Sequence, residues 1–301
     1  MGNLRPPLLS TVTITYNHEK WIGKTIEGFL AQETTFQVEM IIAEDCSTDG
    51  TRAICEQYAT AHPDKIRLLP SEKNLGALRN ERRAMAAARG EYIAFCEGDD
   101  YWTDPQKLQK QVDFLEAHPD YSICFTRFSN YDDETGILRG CEADRLFSEG
   151  QEALDITMDD FFNGWYLQPM TMIFRTDALE IEWYDRYKYF RDYHLIYHLM
   201  KKGKCRLFSF NSGIRTCHSG GMASKISSLN YCRISLPMDR EFYLKTRDKG
   251  PRKQYIETLQ ASIPTFASHR KRCLAIASCF KIFCITHRPG TLLRNLRKAF
   301  Q

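Results

Sequence analysis

The sequence is short of the features that announce several large protein classes. No stretch reaches the about 20 consecutive apolar residues that span a bilayer, so none reads as a crossing helix. The opening Met1-Gly-Asn-Leu-Arg-Pro-Pro lacks the apolar core of a secretory leader, and Pro6 breaks a myristoylation pattern. There is no Walker loop and no Gly-x-Gly-x-x-Gly. His-Glu-x-x-His and Gly-x-Ser-x-Gly are missing too. The eleven cysteines include no Cys-x-x-Cys pair, which argues against a thiolate zinc site. Several, such as Cys96 and Cys124, sit in apolar runs and read as reduced, buried thiols of a cytosolic protein. Acids are scarce at one end: residues 251–301 carry ten Lys/Arg against the single acid Glu257. The first 250 residues hold the other 31 bases and 37 acids, a net of −6. A mildly acidic body therefore carries a strongly basic tail. The tail has few aromatics interleaved with its cations, which argues against nucleic acid as the partner.

What is present is an alternation of strand and helix signals. Leu8–Tyr16, Val38–Ala43, Ile66–Leu69 and Tyr92–Cys96 read as strands. Between them, Ile22, Ile26, Phe29 and Leu30 share one helical face, Ser47–Gly50 opens a second helix, and Asn80–Ala88 is an Ala-rich third. Asp104-Pro105 reads as a helix start, with Asp as N-cap and Pro at the first helical position. Ile123–Phe128, Met170–Phe174 and Leu207–Phe210 read as further strands, and Arg191–Lys202 as a helix stopped by Gly203. This pattern predicts an α/β fold, a Rossmann-like mostly parallel sheet with helices on both faces. Residues 130–165 are turn-rich and acidic and read as excursions over a site. Residues 130–170, including Trp165, Gln168 and Met170, are expected to shape what that site accepts.

The most informative stretch is Cys96-Glu97-Gly98-Asp99-Asp100-Tyr101-Trp102. Carboxylates crowded at the end of a buried strand repel one another and resist burial, so the cluster needs water or a cation. In open α/β sheets, ligands bind at the carboxyl ends of the strands. Oxygen ligands suit Mg²⁺ or Mn²⁺ held over a phosphorylated substrate, with Asp99 and Asp100 as ligands or ribose acceptors and Glu97 joining through water. Four other positions read two ways. Asp45 either accepts a donor from a nucleobase or caps the next helix. Arg79 pairs with a diphosphate or an acid of the site, or lies free on the surface. Asp192 either complements a helix dipole or serves as a general base. His218 ligates a metal, donates to a phosphate, or is structural.

Five segments together resemble glycosyltransferase family 2. They are Thr13–Asn17, Glu44–Thr51, Asn74–Gly76 with Leu78–Asn80, Gly90–Ile93, and Glu97–Asp100, in the family's order and at about its spacing. The resemblance covers roughly residues 8–220. It implies a GT-A fold, an inverting mechanism and a nucleotide-diphospho-sugar donor, with a UDP-sugar expected. It places Thr15 and Asn17 beside the nucleotide, Asp45 on the base, and Arg79 near the base or diphosphate. It places Asp99 and Asp100 at the ribose and metal, Asp192 as catalytic base and His218 as a late metal or phosphate ligand. Three motifs differ from the family's usual pattern: Glu44-Asp45-Cys46 stands where Asp-Asp-Gly is usual, Glu97 replaces the first Asp of an Asp-x-Asp, and Arg191 replaces an acid before Asp192.

Residues 1–222 are thus expected to form the nucleotide-sugar-binding and catalytic domain, and 223–301 a helical, basic and apolar extension. Within that extension Arg270-Lys271-Arg272 precedes the run Cys273–Ile285, apolar except for Ser278 and Lys281. Such a run can lie at the inner face of an anionic membrane or pack on the protein itself. The expected acceptor is a glycan or a lipid-linked glycan. Two other functions fit the residues less well: a non-catalytic sugar-nucleotide binder of the same fold, and a metal-dependent nucleotidyltransferase, which would need a Gly-rich basic first loop.

Overall fold

A computed structural model describes residues 7–164, 166–221 and 227–300. The leader reading at Met1–Pro6, Trp165 and the boundary at 222/223 lie outside the described residues. The chain divides into two compact units, residues 1–186 with 191–218, and residues 187–190 with 219–301.

The first unit starts β1 (Leu9–Thr15), α1 (Ile22–Leu30), β2 (Val38–Glu44), α2 (Thr51–Ala61), β3 (Ile66–Pro70), α3 (Ala77–Ala86), β4 (Tyr92–Phe95). It continues β5 (Tyr101–Trp102), α4 (Lys107–Ala117), β6 (Tyr121–Asp132), β7 (Ile137–Arg139), β8 (Ala153–Ile156), α5 (Met158–Phe161). It closes with β9 (Ile173–Arg175), α6 (Trp183–Arg186), α7 (Asp192–Met200) and β10 (Lys204–Cys217). All the strands join one sheet of order β3-β2-β1-β4-β9-β6-β10-β5, with β7 added to β6 and β8 to β10. The half formed by β3, β2, β1 and β4 is parallel throughout, with Val12 opposite Ile41 on one side and Phe95 on the other. Beyond it β9 runs antiparallel between β4 and β6.

Burial explains the central strand. All seven residues of β1 are buried, as a parallel strand covered on both faces requires. Ile22, Ile26 and Phe29 of α1 meet Leu9, Met40, Ile42 and Tyr92 in one apolar cluster. The chain leaves β1 for β2 and β3, then returns to β4 on the opposite side of β1. The carboxyl ends of β1, β2 and β4 thus lie side by side, at the edge of the sheet where ligands bind in such folds. The common direction of these four strands, rather than of the whole sheet, is what positions the site.

Two elements start later than the sequence suggests. Helix α4 begins at Lys107, not Pro105. Asp104 takes the Gln106 amide on Oδ1 (2.9 Å) and Lys110 Nζ on Oδ2 (2.8 Å), and the Pro105 carbonyl takes the Glu33 amide (2.9 Å), so these residues form a turn tied to the end of α1. In Met170–Phe174 only Ile173 and Phe174 are strand; Pro169–Thr171 make a 3₁₀ turn whose Met170 carbonyl accepts Trp102 Nε1 (2.7 Å). Helix α3 starts three residues before Asn80, at the residue after Gly76, whose positive φ of 82° suits glycine.

The second unit holds α8 (Ser228–Thr246), α9 (Lys249–Ser268), α10 (Arg272–Thr286) and α11 (Pro289–Phe300). Tyr255, Leu259, Ile263 and Phe266 of α9 pack with Ala275, Cys279 and Ile282 of α10 and Ala299 of α11. The apolar run 273–285 is therefore split: one face lies in this small core, while Cys273, Leu274, Phe280 and Cys284 are exposed. No helix among the described residues is long and apolar enough to cross a membrane. All eleven cysteines are free thiols.

Asp239 of α8 is buried and accepts Thr258 Oγ1 of α9 at 2.6 Å. Burial pushes its carboxyl up to about 6, against the pull of that hydrogen bond. The native state thus holds the proton more tightly than the unfolded chain. Its contribution is full below pH 4 and is lost as pH rises through 6, a change of about 3 kcal/mol. Asp239→Asn is expected to remove this slope, so urea midpoints of variant and parent diverge between pH 4 and 7; parallel midpoints would contradict it.

Candidate active site

The site is assembled from three neighbouring strand ends. Beyond β1, Asn17 adopts a left-handed conformation (φ 56°), which asparagine tolerates. Its amide donates to Ser47 Oγ (3.0 Å) and its Oδ1 accepts the Thr48 amide (2.8 Å), tying the first loop to the second. Beyond β2, the carboxylate of Asp45 accepts the amides of Leu75 and Gly76 (2.8 and 2.9 Å). Asp45 therefore braces the 74–76 loop; the amide at the start of α2, on Thr51, is taken by Asp49 instead (3.0 Å). Buried Glu44 accepts the Ser47 amide (2.6 Å) and Arg52 Nε (2.7 Å); burial would raise its carboxyl, but these partners hold it below its ordinary value.

Beyond β4 the backbone stays paired to β1: the Cys96 amide donates to the Val12 carbonyl (3.1 Å) and that of Gly98 to Ile14 (3.0 Å). A Cβ on Gly98 would lie 2.6 Å from Thr15 Oγ1 and 2.7 Å from Thr15 Cβ, so only glycine fits between the acids. Thr15 Oγ1 is itself buried and without a protein hydrogen bond. Thr25 Oγ1 of α1 donates to the Asp100 carbonyl (2.7 Å), fixing the turn from the other side.

Glu97, Asp99 and Asp100 bring carboxylate oxygens within 4.8 Å of one another. Asp99 Oδ2 lies 3.0 Å from Nε2 of buried His218 and 3.8 Å from Nε2 of His18. Asp100 Oδ1 accepts the Thr216 amide from β10 (2.9 Å). The His218 ring packs on Trp21, with centroids 3.9 Å apart. Burial and then mutual repulsion push the Glu97 and Asp100 carboxyls well above the ordinary carboxylate value. Burial would raise Asp99 as well, but the His218 hydrogen bond and the His18 charge outweigh it and hold it low. Burial lowers His18, opposed by Asp99. Three oxygen donors and one imidazole, crowded and poorly compensated, form a set that a divalent ion such as Mg²⁺ or Mn²⁺ fits.

Asp192 opens α7, where Oδ1 accepts the Tyr193 amide (2.8 Å). Burial raises its carboxyl above the ordinary value, and the charges of Arg191 and Arg215 reduce that rise. Its charge in turn raises Glu97 and Glu81, so three carboxyls share one electrostatic neighbourhood. Glu81 of α3 accepts the hydroxyl of buried Tyr184 (2.6 Å), and burial followed by the Asp192 charge pushes it up to about 7. Arg215 lowers both Asp100 and Asp192. Arg79 is exposed on the first turn of α3; the guanidinium anchored beside it is Arg83, which donates to the Glu44 (2.9 Å) and Leu69 (2.8 Å) carbonyls.

The family described as Glycosyl transferase family 2 matches residues 10–181, more than half of the chain. The chain belongs to glycosyltransferase family 2. An uncharacterized protein of Mycobacterium tuberculosis strain H37Rv is 50% identical over 117 residues, 39% of this chain and 34% of that protein. The putative teichuronic acid biosynthesis glycosyltransferase TuaG of Bacillus subtilis is 40% identical over 109 residues, 36% of this chain and 42% of TuaG. The matched part thus spans about a third of the mycobacterial relative and under half of TuaG. Staphylococcus aureus TarS residues 1–349, solved in complex with UDP-GlcNAc, superposes with a TM-score of 0.66 at 17% identity, covering 97% of this chain and 90% of that one. A Pyrobaculum calidifontis mannosyltransferase, solved with GDP-Man and Mn²⁺, gives 0.53 at 17% identity over 98% of this chain and 75% of that one. The fold is GT-A, as the motif resemblance implies.

Within this family 2 chain, Glu97, Asp99, Asp100 and His218 come together, and Asp192 lies within reach of their charge. Thr15 sits beneath Gly98. Asn17 and Asp45 lie in the neighbouring loops with their side chains bonded to loop backbone. Glu97, expected to join through water, has its carboxylate within 4.8 Å of those of Asp99 and Asp100. Sequence reasoning passed over His18, Trp21, Glu81, Tyr184 and Arg215. His18 had a signal, one residue past Asn17 at a strand end. Glu81 had none, because its partner Tyr184 is 103 residues away.

Proposed function

We propose that the chain is an inverting, metal-dependent glycosyltransferase. It moves a sugar from a nucleotide-diphospho-sugar, of the UDP class, to a hydroxyl of a glycan or lipid-linked acceptor. Its place is surface polysaccharide or glycolipid assembly, on the cytoplasmic side and in peripheral contact with an anionic membrane. Residues 1–222 are assigned to donor binding and catalysis and 223–301 to the extension. The observation that carries this reading is the crowding of Glu97, Asp99 and Asp100 at the end of β4, with His218 Nε2 3.0 Å from Asp99 and Asp192 opening α7.

Thr15, Asn17 and Asp45 line the nucleotide side from β1 and β2, and Arg79 offers an exposed cation to the base or diphosphate. Asp99 is assigned to the ribose as well as the ion. Asp99, Asp100 and His218 would hold a divalent ion, which when bound offsets the charge developing on the departing diphosphate. Asp192 takes the proton of the acceptor hydroxyl as that oxygen attacks the anomeric carbon. A carboxyl raised by burial is a better base near neutrality than an exposed one. Attack opposite the leaving group inverts the centre in one displacement, and no enzyme nucleophile is needed. The charge of Arg215 lowers both Asp100 and Asp192 and so opposes the burial that raises them.

A thermal-shift panel of UDP- and GDP-sugars with and without Mn²⁺ tests the donor class. One UDP-sugar at 100 times its dissociation constant is expected to add about 2.7 kcal/mol of stability, and only with Mn²⁺. An equal shift in EDTA would remove the metal from the reading. A shift without any transfer to any hydroxyl would identify a non-catalytic binder.

A further inference from the structure

The two most exposed large apolar side chains among the described residues are Leu293 (65%) and Phe300 (61%), both on α11. Helix α11 is amphipathic in an unusual sense. One face, Leu292, Leu296 and Ala299 with buried Asn295, packs into the small helical core. Next to it, on the far side of Leu296, the residues Leu293, Arg297 and Phe300 fall at i, i+4 and i+7, one stripe, with Arg294 and Lys298 beside them. Leu293, Leu296, Arg297 and Phe300 line a shallow groove open to solvent. An apolar stripe flanked by cations is thus left uncovered, in a segment whose only acid is Glu257.

The dimensions narrow what can cover it. Twelve residues make a helix about 18 Å long, and a stripe about 10 Å wide presents about 200 Å². A stable protein interface needs about 800 Å² per partner. Nucleic acid would call for aromatics interleaved with the cations, and the stripe has one, Phe300. A bilayer asks for less: shallow insertion of a few apolar side chains, added to attraction between cations and anionic headgroups. Ten bases against one acid over residues 251–301 give a field of one sign.

We propose that the Leu293–Arg297–Phe300 face of α11 is the surface that docks this chain on an anionic lipid bilayer, inserting Leu293 and Phe300 between headgroups that pair with Arg294, Arg297 and Lys298. This names the membrane contact of the proposed function and does not depend on the transfer chemistry.

The test is co-sedimentation of the full chain with phosphatidylcholine vesicles, with and without phosphatidylglycerol. The chain is expected to partition onto the anionic vesicles only, and to leave them in high salt. Leu293→Glu with Phe300→Glu should lower partitioning at least tenfold, and each of Arg294→Gln, Arg297→Gln and Lys298→Gln about fivefold. Should the glutamates lower the thermal midpoint, Leu293→Ser with Phe300→Ser replaces them. Equal partitioning onto neutral vesicles, or partitioning untouched by these substitutions, overturns the proposal. So does a dimer in sedimentation velocity that the same substitutions dissolve, which would make a second copy the occupant. Stabilisation by sugar nucleotides is read separately and unchanged in all variants, so failure at the vesicle leaves the transferase reading standing, and the reverse.

Discussion

Asp192→Asn is expected to lower turnover by about 10²–10⁴-fold while leaving donor binding intact. The amide keeps the shape of the side chain, and its Oδ1 can still accept the Tyr193 amide, so α7 starts as before. What is lost is the basic carboxylate that the proposed mechanism uses to take the acceptor's proton; the amide oxygen keeps its lone pairs but is far less basic. Initial rates with the donor identified by thermal shift, alongside its dissociation constant, separate the two effects. An unchanged rate would remove Asp192 from catalysis and return it to a helix-end acid. The pH profile gives a second check. A base must be ionised, so kcat/KM of the parent should fall as pH drops through a value above the ordinary aspartate range, because burial raises Asp192. Glu81 titrates nearby, at about 7, so the limb belongs to the coupled group of acids rather than to one residue.

The second large effect carries two opposite signs. Asp100→Asn should abolish the Mn²⁺-dependent stabilisation by donor and reduce turnover by about 10³-fold, yet raise the melting temperature of the ligand-free protein. Asparagine retains an oxygen for the Thr216 amide, so the tie to β10 survives. It removes one charge from a crowded set in which burial and repulsion have already pushed Glu97 and Asp100 upward. A raised native carboxyl costs stability wherever it is ionised; the neutral amide does not. Calorimetry without ligand and a rate assay on the same sample read both signs. A variant that melts lower and still turns over at the parental rate would show the cluster to be scaffold.

How much of this could be read from the chain depends on distance along it. The parallel half of the sheet was legible because each strand carries its own apolar run and each helix its own face, all local patterns. Acids at the end of β4 were legible for the same reason: Glu97, Asp99 and Asp100 are neighbours in sequence as well as in space. The starts of α4 and β9 were not, since tertiary bonds to Glu33 and Trp102 decide them. Asp45 was narrowed only by geometry, which showed both its oxygens bonded to the 75–76 backbone. Arg79 and Arg83 look alike on paper; which one is anchored depends on carbonyls of β2 and β3. Glu81 and Tyr184 meet across a gap that no periodicity spans.

The pairing of Cys96 and Gly98 to β1 has a mechanical consequence. Most acidic sites sit on loops that splay when empty and tighten when filled. Here the carboxylates ride on an extension of a central strand, wedged by a residue with no side chain against Thr15. The backbone that carries them has nowhere to retreat, so their mutual repulsion is relieved by taking up protons or a cation rather than by loop movement. The amide hydrogen of Gly98 should accordingly exchange as slowly as those of the sheet interior, with or without ligand.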